Sequence, residues 1–211
     1  MKESNKKILF ICGSLGNGND GVGDYTLTLA KQLDKMGHNI SIIALNDKYL
    51  SQNNYIKENI ADINILRIHH TLHISAKKSL IKSFLTLHNP RFISLQFVPF
   101  AFQNKGLPIN LLFLLNSFED LKWHIMFHEL WAGMEINDSY RLKILGYLQK
   151  KIIHYLIFKL QPFAIHTSNT LYIHQLKKVT KLYVSKLPLF GNIEKNEYIS
   201  VDSDKKKNSE S

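Results

Sequence analysis

Short apolar runs alternate with stretches of helical periodicity along most of this chain. Ile8–Cys12 is uninterrupted apolar sequence, the pattern of a strand buried on both faces. Thr26, Leu29, Ala30 and Leu33 then recur at i, i+3, i+4 and i+7, one face of a helix. Further strands are predicted over Asn39–Leu45, Ile63–Ile68, Phe92–Val98, Trp123–His128, Phe163–Thr167 and Leu182–Lys186. Helices are predicted over Ala76–Leu87, Leu107–Glu119, Tyr140–Leu160 and Asn169–Lys178, with Pro108 in a first turn, where a missing N–H is harmless. Strand and helix in alternation predict an α/β, Rossmann-like, mostly parallel sheet with helices on both faces. Ligands of such sheets bind beyond the carboxyl ends of the strands.

That edge opens, after the first strand, into a loop rich in glycine: Gly13, Gly16, Gly18, Gly21 and Gly23. Glycine permits sharp turns and close backbone approach to a ligand. A helix start behind it is expected to present unpaired N–H groups and positive dipole to an anion, a phosphate or the phosphate of a sugar nucleotide. No Lys follows the glycines, which excludes a P-loop NTPase. A nicotinamide site stays open as an alternative, with Asp47 after the second strand as the ribose acceptor. So does a strand-to-helix turn that binds nothing.

Composition narrows the class. The chain has 211 residues, 45% of them hydrophobic, enough for a full core. Cys12 is the sole cysteine, so no disulfide framework exists and a reducing, cytoplasmic compartment is expected. Lys6-Lys7 before the first strand lacks the apolar length and cleavage site of a signal peptide. The longest apolar candidate for a membrane span, Leu107–Leu115, is too short and holds Pro108 and Asn110.

Net charge is +10, and its placement is uneven. Between Ser139 and Ile193 there is no Asp or Glu, but nine Lys and Arg. Five of these lie on the Tyr140–Leu160 helix, among Ile144, Leu148, Ile152, Tyr155 and Phe158. A basic amphipathic helix suits an anionic membrane surface or ligand; the alternative is a core helix with a solvated lysine face. No nucleic-acid motif accompanies the charge, so nucleic acid is not the expected partner. From Glu194 onward the sequence turns polar and low in apolar residues, which predicts a tail or linker over 194–211 and one folded domain over 1–193.

Two histidine features add candidate chemistry. His128-Glu129 closes the WHIMFHELW strand at the ligand edge of the sheet, where His128 can shuttle a proton or hydrogen-bond a sugar hydroxyl. His69-His70-x-x-His73 imitates a metal site, but no carboxylate or thiolate lies close in sequence, so cleft-edge histidines are expected instead.

Taken in order, these segments resemble the N-terminal, acceptor-side domain of GT-B glycosyltransferases of the family 4-like group. The resemblance rests on Asp20-Gly21-Val22-Gly23-Asp24-Tyr25, on Gly37-His38 between helix and second strand, on ISLQFVPF, MFHELW, TSNTLYIHQL and LPLFGNI. It covers residues 7 to 193 and implies one GT-B half. In that family the glycine loop lies near the donor phosphates and the His of the HE strand end faces the transferred sugar. The resemblance therefore implies substrate contacts at Gly21, Val22, Gly23 and Glu129 and a catalytic role for His128. It also implies retaining transfer from a UDP-, GDP- or ADP-sugar to a glycan or lipid-linked acceptor, with the nucleotide sugar as substrate and no metal or other cofactor. Several members dock on membranes through this domain, which implies a peripheral location at the inner face. Asp20 departs from the family's paired glycines, and an acid beside donor phosphates would be repulsive unless it turns toward an acceptor hydroxyl.

The second GT-B domain, with its paired carboxylates, has no counterpart in these residues; Glu194, Glu197 and Glu210 do not make the E-x7-E pattern. The expectation is an acceptor-binding half, inactive alone: part of a longer enzyme, a subunit paired with a donor-binding protein, or a decayed gene product. The competing function is a non-catalytic Rossmann-like binding or scaffold module with a basic membrane- or partner-binding face.

Overall fold

A computed structural model describes residues 5–51, 54–115, 118 and 121–189. The predicted 194–211 tail, the FGNI residues of the last motif and the end of the Leu107–Glu119 helix lie outside the described residues.

The strands are β1 (Lys7–Cys12), β2 (Asn39–Asp47), β3 (Tyr55–Ile60), β4 (Ile63–His69), β5 (Phe92–Phe97), β6 (Lys122–Phe127), β7 (Ala164–Thr167) and β8 (Val184–Lys186). They form one sheet in the order β3-β4-β2-β1-β5-β6-β7-β8. Every neighbouring pair is parallel except β3 with β4. The helices are α1 (Gly21–Lys35), α2 (Ile74–His88), α3 (Pro99–Phe102), α4 (Ile109–Leu115), α5 (Tyr140–Leu160) and α6 (Thr170–Leu176). This is a Rossmann-like α/β fold.

Alternation along the central strands sorts side chains onto two layers. Phe10, Cys12, Ile40, Ile42, Ile63 and Ile65 pack on the α1 side, under Ala30, Leu29 and Leu33. Leu9, Ile11, Ile43, Leu66, Leu95 and Ile125 face the other way, against α2, α4, α5 and α6. Each fully buried side chain of this size contributes about 1.5–3 kcal/mol.

β3 went unpredicted because it is an exposed edge strand, YIKENI, with no apolar face to reveal it. A two-residue turn joins it to β4, with Ala61 and Asp62 both left-handed, at φ 50° and 64°. β2 runs two residues past its predicted end, since Asp47 pairs with His69 across an irregular register. Pro108 precedes α4 instead of lying in its first turn. The cap of α6 is Asn169, whose side chain accepts from Tyr172 N at 2.8 Å.

β1 lies between β2 and β5, and the chain leaves it first toward β2 and later returns to β5 on its other side. The carboxyl ends of β1 and β5 therefore flank the crevice where this topology places ligands.

Candidate functional site

A cleft of about 570 Å³ opens at that switch point. Its walls include Ser14, Asp20, Gly21, Val22 and Tyr25 from the loop and α1, Asn46 near the end of β2 and Lys48 just after it, and His128 and Glu129 after β6. Of the residues expected to bind substrate, Gly21, Val22 and Glu129 line this cleft together with His128; Gly23 does not.

The glycine loop is used differently from the expectation. A Cβ at Gly23 would lie 2.6 Å from the Ser14 backbone oxygen, so this glycine lets α1 approach the end of β1. Gly13 and Gly16 are likewise met by the protein's own Ala101 and Tyr49. Gly18 is the turn residue, at φ +72°.

The helix start is also occupied. Asp20 is the N-cap of α1; its carboxylate accepts from Val22 N at 3.2 Å and Gly23 N at 3.0 Å. Ser14 Oγ donates to the same carboxylate. An acidic cap satisfies helix N–H groups and complements the dipole, which are the two properties that draw a phosphate. The expected anion cradle at Val22 and Gly23 is therefore filled by the chain itself, and Asp20 is neither repelled nor aimed outward.

His128 is joined to a line of buried and half-buried polar groups that sequence reading did not connect. Its Nε2 lies 2.8 Å from Gln96 Oε1. An amide oxygen only accepts, so the ring carries its proton on Nε2 and keeps Nδ1 as acceptor. Gln96 Nε2 donates to Ser94 Oγ at 2.7 Å, Ser94 Oγ is 2.8 Å from His124 Nδ1, and His124 Nε2 is 2.9 Å from His166 Nδ1. These residues occupy the α1-side face of β5, β6 and β7, opposite Ile93, Leu95, Ile125 and Ile165 of the other layer. Tyr25 sets its ring edge-to-face against His128, centroids 5.1 Å apart. The i, i+2 spacing of Ser94 with Gln96 and the i, i+4 spacing of His124 with His128 were the available signals; only the sheet order shows that the two sets adjoin.

Burial lowers the His128 and His124 pKa values to about 4; Asp20 pulls His128 partly back, and His166 and His128 push His124 further down. His128 is thus neutral at pH 7, with Nδ1 an acceptor for a hydroxyl. Both rings charge more readily in the unfolded chain, near 6.5, so acid favours unfolding. Their contribution is complete above pH 6.5 and erodes as pH falls toward 4, by up to about 1.4 kcal/mol per pH unit for each ring. Denaturant unfolding across that window should show stability falling with acid, and a His124→Phe variant should flatten the slope. A profile level from pH 7 to 4 would contradict it.

The two remaining sequence candidates have structural duties. Asp47 is fully buried and bonds Arg67 Nε at 2.7 Å, Tyr49 N at 2.9 Å and Leu15 N at 3.2 Å. With those partners it is not placed to receive a ribose hydroxyl. His73 caps α2, its Nδ1 accepting from Ser75 N, and His69 Nδ1 pairs with Thr71 Oγ1 at 2.7 Å. Among the described residues no group of three or more His, Cys, Asp or Glu is arranged to hold a metal ion.

No family model and no curated protein matches this sequence. Similarity to known proteins is one of fold. An epimerase of Methanothermobacter thermautotrophicus matches at 13% identity and a TM-score of 0.45, over 80% of this chain and 52% of that one. UDP-glucose 4-epimerase of Thermotoga maritima, solved with UDP-glucose, matches at 12% identity and 0.42, over 77% and 54%. A short chain dehydrogenase of Leptospira borgpetersenii, solved with NAD+, matches at 13% identity and 0.41, over 79% and 72%. The chain spans about half the length of the two epimerases. These three are epimerases and a dehydrogenase, not glycosyltransferases, so the GT-B assignment does not rest on them.

Proposed function

We propose that the cleft binds a saccharide and serves as the acceptor-side half of a GT-B, family 4-like glycosyltransferase that uses a nucleotide sugar. One observation carries this reading. The cleft has no anion cradle, because Asp20 occupies the N-terminus of α1, while Glu129, Asn46, Tyr25 and a neutral His128 line a space of about 570 Å³. Carboxylate, amide, phenol and neutral imidazole match the donors and acceptors of sugar hydroxyls; among the described residues lining the cleft Lys48 is the one lysine or arginine, and its Nζ lies 5.1 Å from the centre of the Tyr49 ring. In this reading the donor phosphates are held by a separate donor-binding domain or partner. The acceptor is a glycan or lipid-linked sugar, His128 contacts the transferred sugar, and no metal takes part. The nicotinamide alternative loses its ribose acceptor with the engagement of Asp47 by Arg67.

Titration of the full chain, observed through backbone amide resonances, tests this. Oligosaccharides and nucleotide sugars should shift Gly21, Val22, His128 and Glu129. A Cβ on Gly21 meets no protein atom, so Gly21→Val should melt like wild type yet bind saccharide at least about tenfold more weakly, by filling ligand space. Quenching of NADH fluorescence with every saccharide silent would overturn the proposal in favour of the nicotinamide site. No response to any of these ligands would favour the scaffold reading.

A further inference from the structure

Lys77 is out of place by two local rules. It is only 6% exposed, and a lysine is rarely buried without a carboxylate beside it. Among the described residues it has no ion-pair partner; the ion pairs there join Arg67 to Asp47 and Glu58. It also stands in the first turn of α2, at the positive end of the helix dipole, with no acid in that turn. Its Nζ donates to Leu45 O at 2.7 Å and His70 O at 3.4 Å. Those carbonyls hold the ammonium in place without neutralising it. Burial lowers the Lys77 pKa to about 8, so the group stays mostly protonated at pH 7. Breaches of local preference of this kind collect at functional sites.

Lys77 lines a cavity of about 220 Å³ between the end of β2, α2 and α4. The cavity adjoins the His128 cleft and shares Asn46 and Asn104 with it. Leu72, Ile74, Phe102, Leu111 and Leu114 form its apolar wall. Gln103 adds donors: its Oε1 accepts from Lys105 N at 2.7 Å and Leu107 N at 3.1 Å, which leaves the amide N–H groups for a ligand. Asn104 and Asn110 are exposed and mark the mouth. Among the described residues lining the cavity there is no Asp or Glu.

We propose that this cavity binds a small monocarboxylate, with the carboxylate on Lys77 and the hydrocarbon body against the apolar wall. One buried cation matches one negative charge. A carboxylate only accepts, which suits an ammonium and an amide N–H. A phosphate dianion would bring a second charge into a space with a single cation and five apolar side chains. A neutral ligand would leave Lys77 buried and uncompensated. The volume equals that of about seven waters at roughly 30 Å³ each, so the acid has about that many non-hydrogen atoms. The inference does not depend on what the cleft binds.

Titration of the full chain with hexanoate and with hexanol, observed through backbone amide resonances, provides the test. The two probes share a hydrocarbon chain and differ in charge. Hexanoate should shift Leu72, Lys77, Gln103 and Leu111 and bind at least about tenfold more tightly than hexanol, the worth of one charge-assisted hydrogen bond. Gly21 and Glu129 in the cleft should stay unmoved, so the result is read separately from the saccharide titration. Lys77→Met keeps the length of the side chain without its charge and should erase the preference for hexanoate. Asn110→Asp is an exposed change of nearly equal shape that sets a negative charge at the mouth. It should melt like wild type and weaken hexanoate, but not hexanol, about threefold. No shift with hexanoate, equal affinity for the two probes, or a preference that survives Lys77→Met would overturn the proposal. If Lys77→Met does not fold, hexanoate affinity unchanged in Asn110→Asp would overturn it instead. So would tighter binding of inorganic phosphate than of hexanoate, which would make a phosphate the occupant.

Discussion

Gly146→Ala should lower the melting temperature by about 4–8 °C, even though alanine is the better helix former. In a helix interior the change gains roughly 0.5–1 kcal/mol. Here the added Cβ would lie 1.8 Å from the carbonyl oxygen of Ala132, well inside any permitted contact. That carbonyl is not free to withdraw. Ala132 N donates to Gln149 Oε1 at 2.8 Å, and the buried Gln149 donates in turn to Gly106 O at 3.0 Å. One amide thus clamps two loops to α5, and the helix cannot move outward without breaking both bonds. Overpacking against such a site costs about 1–3 kcal/mol, with the upper end appropriate to backbone overlap. The net loss is about 2 kcal/mol, which sets the temperature shift for a domain of this size. A melting curve at or above that of wild type would mean that the 132 loop yields at little cost.

His128→Ala should reduce kcat/KM by about 10²–10³-fold in the complete transferase that the proposed function requires, the usual loss when a positioned polar group leaves a transition state. The same change strips Gln96 Oε1 of its donor. Gln96 is buried, so about 1–3 kcal/mol of stability should go as well. The two effects separate in His128→Gln, whose amide nitrogen can still donate to Gln96: stability should return and turnover should not. Gln96→Leu tests the same link from the other end. It should leave the fold intact but free the ring, lowering kcat more than it raises KM. Normal turnover in His128→Ala would remove this residue from catalysis and leave it as the end of a structural hydrogen-bond line.

Much of the architecture was legible because burial writes a period into the sequence. β1, β2, β4, β5 and β6 are buried and read as apolar runs, and α1 shows its Thr26, Leu29, Ala30, Leu33 face directly. Elements too exposed or too short to show a period left no such mark. β3 carries Lys57 and Glu58 at an exposed edge, and α3 is a single turn. At the cleft, His128 and Gly21 were found from their places at strand end and loop. Asp20 was read as a misfit beside phosphates, although an Asp just before a helix is the ordinary sign of an N-cap. Asp47 was given a ribose because its partner Arg67 lies on another strand, which chain position cannot reveal.

The sequence by itself determined the alternation of strand and helix, the parallel sheet, the edge at which the loop and His128 meet, and the acid-free stretch around α5. Those are local properties: spacing, side-chain type and turn chemistry act over a few residues. Only the tertiary structure decided what each candidate group is bonded to. Strand order brought Gln96, Ser94, His124 and His166 into one line behind His128, turned the helix start over to Asp20, and gave Asp47 to Arg67. It also decided which side of α5 the core would use, and so left Tyr140, Tyr155 and Phe158 facing outward. The physical reason is common to all of these: hydrogen bonding and burial depend on neighbours across the sheet, and those neighbours are distant in the chain.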